Sequence, residues 1–366
     1  MDIIFDTADS PLEENTIPML RGQIEAARAR EDLAGLSFAL GALGRALLMH
    51  QCTLEALTCF DEAVDIAEGS GDLEAHARHL GNQGIALAQI GNFNQALRSF
   101  RKAYNIAQCT GDMPLIFDAL VQIASLEMER ENFESALASL EEALQIAEKK
   151  GNLPPQLKAR LMLGRIYWEL EEFDPAASHY QAALRLAAAL EDGDAQVECL
   201  QNLGAIARTR GETDQAVIYF QRAFDHLEVE DPQKAFILLA QLGDVLLDCG
   251  DFTQAMDKTE IALRLARALG DRQAEARLLG SLSIIQAELG DRVQSIELSN
   301  QAVDIARQTG QIQLLGEQLL LQALAYYDHG RMHAAKSACI EALGIFENIE
   351  ASSLLEKALD LLEEIQ

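Results

Sequence analysis

Apolar and polar residues alternate along this chain with a helical period, and the pattern itself recurs. Between Asp72 and Gly111, Leu73, Ala77, Leu80, Gly84 and Leu87 follow one another at steps of four, three, four and three. That spacing aligns them on one face of a helix with 3.6 residues per turn. Gly91-Asn92 interrupts the run, because both residues tolerate backbone angles that a helix excludes. Ala96, Leu97, Phe100, Ala103, Ile106 and Ala107 then form the stripe of a second helix, with Gly111 as its stop and Asp112 as the next N-cap. The stretch predicts a helical hairpin.

The same hairpin recurs along the chain. A small residue of the second helix stands at Ala56, Ala96, Ala136, Ala176, Ala216, Ala255, Ser295 and Ala335, with steps of 40 except for 39 between Ala216 and Ala255. Seven residues after each comes Ala63, Ala103, Ala143, Ala183, Ala223, Ala262, Ala302 or Ala342, and twelve before each comes Gly44, Gly84, Ala124, Gly164, Gly204, Gly243, Ser283 or Ala323. Helices approach closely only where side chains are short, so three small positions per unit mark helix contacts in a solenoid. Eight hairpins are expected over 32–350, at about 32–71, 72–111, 112–151, 152–193, 194–230, 231–270, 271–310 and 311–350. A flexible stretch over 1–10, a capping helix over 11–31 and a second over 351–366 complete the expected organisation. Irregular joints at Gly193 and at Glu228–Pro232 bound repeat five and read either as ordinary loop variation or as a flex point between repeats one to five and six to eight.

These residues resemble the tetratricopeptide repeat, which carries Leu-Gly in the first helix and an alanine, an aromatic and an alanine in the second. Leu43-Gly44, Leu163-Gly164, Leu203-Gly204 and Leu242-Gly243 match the first part. Ala56/Phe60/Ala63, Ala96/Phe100/Ala103, Ala176/Tyr180/Ala183 and Ala216/Phe220/Ala223 match the second. The 40-residue unit is similar to the long-repeat subgroup of Pins/LGN polarity scaffolds, kinesin light chains and bacterial regulators. The resemblance implies an all-α, right-handed α–α superhelix that binds protein without catalysis.

Composition narrows the partner. The formal net charge is −29, which repels phosphate backbones and anionic lipid heads, so neither nucleic acid nor membrane is expected as a partner. Aromatics make up only 5% of the residues, as suits close packing on Ala and Leu. Six cysteines without a Cys-x-x-Cys pair read as reduced thiols, and no apolar run reaches a spanning length, which points to the cytoplasm. His76/His79 and His329/His333 have helical ligand spacings but lack partners in a known metal pattern, and they read as surface or helix-end histidines. Phosphate loops are absent, and no carboxylate is placed where an enclosed apolar pocket would raise its pKa. No catalytic residue, metal or cofactor is expected.

In tetratricopeptide architecture the first helices line the concave side, so their non-core stripe would meet a ligand. Asn82, Gln122, Asn202, Gln241 and Ser281 form an interrupted polar row whose amides could pair with an extended peptide backbone. Arg45, Arg78, Lys158, Arg165 and Arg208 add positive charge, with Trp168 one turn from Arg165. The expected ligand is a peptide or protein segment that is acidic or aromatic over repeats four and five. The paired Lys and Asn of the chaperone-tail carboxylate clamp are not matched. A second reading is a sensing module that takes a small ligand or signalling peptide, as in bacterial regulators.

Overall fold

The computed structural model describes residues 16–227, 231–349 and 351–365, and the expectation for 1–10 lies outside them. Every regular element among the described residues is an α-helix, as the repeat predicts. The chain divides into two compact units, to Leu186 and from Ala187. The first holds α1 (Thr16–Ala29), α2 (Leu33–Met49), α3 (Thr53–Ser70), α4 (Leu73–Gln89), α5 (Phe93–Thr110), α6 (Met113–Glu129), α7 (Phe133–Lys150) and α8 (Leu153–Glu169). Helix α9 (Phe173–Ala189) carries the division. The second unit holds α10 (Gly193–Thr209), α11 (Thr213–Asp225), α12 (Pro232–Asp248), α13 (Phe252–Leu269), α14 (Arg272–Glu288), α15 (Arg292–Thr309), α16 (Ile312–Asp328), α17 (Met332–Asn348) and α18 (Ser352–Ile365). The division falls within repeat four, and of the irregular joint at 228–232 the residues 228–230 are outside the described residues.

Helix ends follow from single residues. Asp72 caps α4 by accepting the Ala75 N–H at 3.0 Å, and Asp112 caps α6 by accepting the Leu115 N–H at 3.1 Å. Each satisfies a donor that the first turn leaves without an intrahelical partner. Helix α3 stops at Gly71, whose φ of 73° is left-handed, and the Asp72 N–H then closes back on the Ala67 carbonyl at 3.1 Å. The joint inside the hairpin uses the same conformation at Gly91, yet Gln51, Glu131 and Glu171 hold it at φ of 61°, 58° and 59°. A side chain in that region costs about 1–2 kcal/mol, so packing of the two flanking helices imposes the turn there.

The small columns meet large rings. A Cβ on Gly44 would lie 2.5 Å from the Phe60 ring, one on Gly84 2.5 Å from Phe100, and one on Gly164 2.9 Å from Tyr180. Phe60, Ala56 and Ala63 are all fully buried. Where the second helix lacks its ring, the contact changes chemistry: Ser283 Oγ donates to the Ser295 carbonyl at 2.8 Å. Leu73, assigned to the buried stripe by its spacing, is 48% exposed, because it opens α4 at the first helical position, ahead of the turns that pack. At the ends, Leu20 of α1 is buried, as Phe60 is forty residues on, and α1 lies against α2. Helix α18 turns Ala358, Leu361 and Ile365 inward and leaves Glu356, Lys357, Asp360, Glu363 and Glu364 exposed.

Candidate functional site

Within each unit, successive first helices are neighbours, so side chains forty residues apart can meet. In the second unit they do. Gln201 Nε2 donates to Gln241 Oε1 at 3.2 Å, and Lys234 Nζ donates to Asp194 at 2.6 Å. Arg208 Nε donates to Asp248 at 2.7 Å, with Asp244 3.8 Å from the same guanidinium. Asp244 also accepts from Ser281 Oγ at 3.3 Å; burial raises its pKa, and Arg208 and the Ser281 hydroxyl oppose the rise. Asn202 turns back on its own helix, donating to the Glu198 carbonyl at 2.8 Å. Arg208 therefore does not stand open as the sequence suggested, because acidic residues one repeat on already hold it.

In the first unit the polar row divides. Asn82 is completely buried and Gln122 is 4% exposed, so a ligand on the first-helix face does not reach either. Both follow the apolar stripe closely enough that helix-to-helix contact covers them. Lys158 is half-buried and faces Asp118 from the next first helix. Burial pushes the Asp118 carboxyl up to about 6 despite the nearby ammonium, and burial lowers Lys158. Asp118 thus departs from the expectation that no carboxylate is enclosed so as to raise its pKa; its burial arises on packing with a neighbouring repeat, which sequence spacing alone does not reveal. Arg165 is exposed, whereas Trp168 is half-buried and meets Phe173 edge-on, ring centroids 5.3 Å apart. The indole thus packs on the hairpin joint as well as facing outward.

The histidine reading is corrected at His79, whereas His329 caps the end of α16 and His333 is exposed in the first turn of α17. His79 is 4% exposed, and its Nε2 lies 3.0 Å from Ser37 Oγ of α2. Burial, with Arg45 and Arg78 close by, lowers its pKa to about 4, so the ring is neutral at physiological pH. Around it lies a cavity of about 230 Å³ between α2 and α4, lined by Ser37, Phe38, Arg45, Asp72, Arg78 and His79 among others. Arg45 and Arg78, two residues of the expected site, meet there. Arg78 is anchored by Glu74 at 2.6 Å on its own helix, and Phe38 is 61% exposed. The signal for this pocket was present in the sequence as Gly41, whose missing side chain leaves room for the imidazole. Among the described residues no group of three or more His, Cys, Asp or Glu could hold a metal ion. No described helix is long and apolar enough to cross a membrane.

A family model described as "Tetratricopeptide repeat" matches residues 35–108, 115–189 and 234–308. No curated protein matches the chain. Among solved structures it is similar to the apo form of RapI, at 13% identity and a TM-score of 0.66, covering 96% of each chain. It is also similar to the apo form of the quorum sensor NprR from B. thuringiensis, at 14% identity and a TM-score of 0.61, covering 91% of this chain and 96% of that one. Aspartyl phosphate phosphatase F from Bacillus subtilis shares 12% identity and a TM-score of 0.58 over 93% of this chain and 96% of that one. At these identities the likeness is one of fold.

Proposed function

The chain belongs to the tetratricopeptide repeat family, and from that premise we propose that it is a non-catalytic interaction scaffold, holding a peptide or protein segment along its first-helix face. The observation that carries this reading is the pairing of first-helix side chains one repeat apart, as in Gln201 with Gln241. Each amide has one acceptor and two donors, and their mutual bond uses one donor of Gln201 and one lone pair of Gln241. The Gln201 carbonyl remains to accept from a backbone N–H, and the Gln241 amino group remains to donate to a backbone C=O. Such pairing reads an extended chain without reading its sequence, and the side chains are already ordered before the ligand arrives, which lowers the cost of binding.

Specificity comes from the groups beside that row. Arg165 and Trp168 in the first unit offer a charge-assisted donor and a large flat surface, the residue types that dominate interface energetics. Of the residues assigned from sequence, Arg45, Arg78, Lys158, Arg165 and Trp168 are the proposed contacts in the first unit, where an acidic or aromatic segment suits them, and Asn202, Arg208 and Gln241 are the proposed contacts in the second. Asn82 and Gln122 hold the helix contacts instead.

A displayed library of random peptides selected against the whole chain tests the reading. Selected peptides are expected to lose affinity with Gln201→Ala plus Gln241→Ala, or with Arg165→Glu, and to keep it with Glu141→Arg on α7. Binders that respond to the α7 change and ignore the first-helix changes would place the ligand face on the second helices and sink the proposal.

A further inference from the structure

Asp118 and Lys158 occupy equivalent positions on α6 and α8, forty residues apart, and both are half-buried on the first-helix face. Their charges interact: the ammonium opposes the rise of the carboxyl, and the carboxylate opposes the fall of the ammonium. No hydrogen bond or ion pair joins them, however, and neither side chain has another such partner among the described residues. Neither charged end is sealed, because the carboxylate oxygens and the ammonium nitrogen keep access to solvent. Polar groups withdrawn from water are almost always hydrogen-bonded, so two opposite charges facing across a gap leave a place for a group that bonds both.

The surroundings select a neutral group. Asp112 also acts on Asp118, and on α4 the equivalent residue, Arg78, is neutralised by Glu74 at 2.6 Å. A cationic ligand would confront Lys158, and an anionic one would confront Asp118 and Asp112. Burial is the largest influence on both members of the pair, so a further ion would also lose its own hydration there. A neutral ligand must then offer an acceptor and a donor from one edge. A trans backbone amide points its C=O and N–H in opposite directions and reaches one of the two residues. A primary carboxamide carries its oxygen and its NH2 side by side on one carbon. Apolar surface for its stem is at hand, since Pro114 and Pro154 are exposed one turn before the pair and Met162 is half-buried one turn after Lys158.

We propose that Asp118 and Lys158 form a clamp for a primary carboxamide, the Asn or Gln side chain of the bound segment. Lys158 Nζ donates to the carboxamide oxygen, and the carboxamide N–H donates to the Asp118 carboxylate. The clamp rests on the reading of the first-helix face as the ligand face and adds to it a side-chain specificity at repeats three and four.

Saturation-transfer NMR of the full chain with the N-acetyl, N′-methylamide derivatives of glutamine, glutamate and methionine tests the clamp. The three probes share both backbone amides and differ at the end of the side chain. The glutamine derivative is expected to bind at least about tenfold more tightly than the other two, since only it makes both charge-assisted bonds. Asp118→Ala should remove that preference, and so should Lys158→Met, which keeps the packed stem and loses only the charge; Glu141→Arg on α7 should retain it. Glycine, whose ammonium and carboxylate could also bridge the pair, should bind more weakly than the glutamine derivative. Equal binding of the three derivatives, no binding of the glutamine derivative, tighter binding of glycine, or a glutamine preference that survives both variants would overturn the proposal. Library-selected peptides that depend on Arg165 and share no Asn or Gln would strike the clamp and leave the scaffold standing. A glutamine preference lost in both variants, with no peptide engaging the first helices, would leave the clamp standing and strike the scaffold.

Discussion

Gly41 of α2 and His79 of α4 share one space: a Cβ on Gly41 would lie 2.8 Å from His79 Nδ1. The arrangement recurs in the second unit, where Gly280 of α14 faces Gln318 of α16 from the equivalent repeat positions, and a Cβ there would also lie 2.8 Å from Leu321. In both cases a glycine on one first helix admits a buried polar side chain from the next. Ala119 and Ala159 fill the same position as His79 in repeats three and four. The device is therefore local, a polar substitution compensated by a missing methyl one repeat earlier. Gly41→Ala should displace the imidazole and lower stability by about 1–3 kcal/mol. Thermal melting checks it; an unchanged melt would show that His79 yields without cost.

His79 makes stability depend on pH. Its folded-state pKa, about 4, lies below the ordinary 6.5. Above 6.5 the ring is neutral in both states and contributes nothing to the slope. As pH falls from there towards 4 the unfolded chain takes the proton first, so stability declines, and below 4 the loss is complete. The total is about 3 kcal/mol. Denaturant unfolding of the parent and of His79→Gln, compared at about pH 7 and about pH 4, should show the parent losing that much more than the variant. Parallel curves would mean that the imidazole is not held neutral.

Gly204 touches the Phe220 ring, where a Cβ would lie 2.9 Å away. Gly204→Leu should overpack the α10–α11 hairpin and cost about 1–3 kcal/mol. A variant that melts with the parent would separate these helices.

Arg208 and Asp248 form an exposed bond across one repeat, 2.7 Å long, with both side chains about two-fifths exposed. Such pairs contribute about 0–1 kcal/mol. Arg208→Glu should therefore shift the melting temperature little while lowering peptide affinity, and adding Asp248→Arg should restore the pairing without restoring the affinity. If the double variant recovers the parent's affinity, Arg208 acts only through its acidic partner and does not contact the ligand.

The repeat was legible because its cause is local and periodic. Ala56, Phe60 and Ala63 recur at fixed steps, and a hairpin cannot bury its stripe without a neighbour, so the fold class followed from spacing and from Asp and Gly at the joints. Three further facts depended on the second neighbour of each helix. Asn82 and Arg78 are four residues apart on one helix, yet the first is fully buried and the second lines a cavity. Arg208 looked like an open cation until Asp248 came forty residues later on the adjoining first helix. Asp118 resembled any surface carboxylate until packing withdrew its water. Sequence determined which residues form each helix and which stripe it buries. How far an individual polar group is dehydrated, and which charge from the next repeat answers it, was decided by the tertiary structure, because both depend on distances between helices that spacing along the chain does not contain.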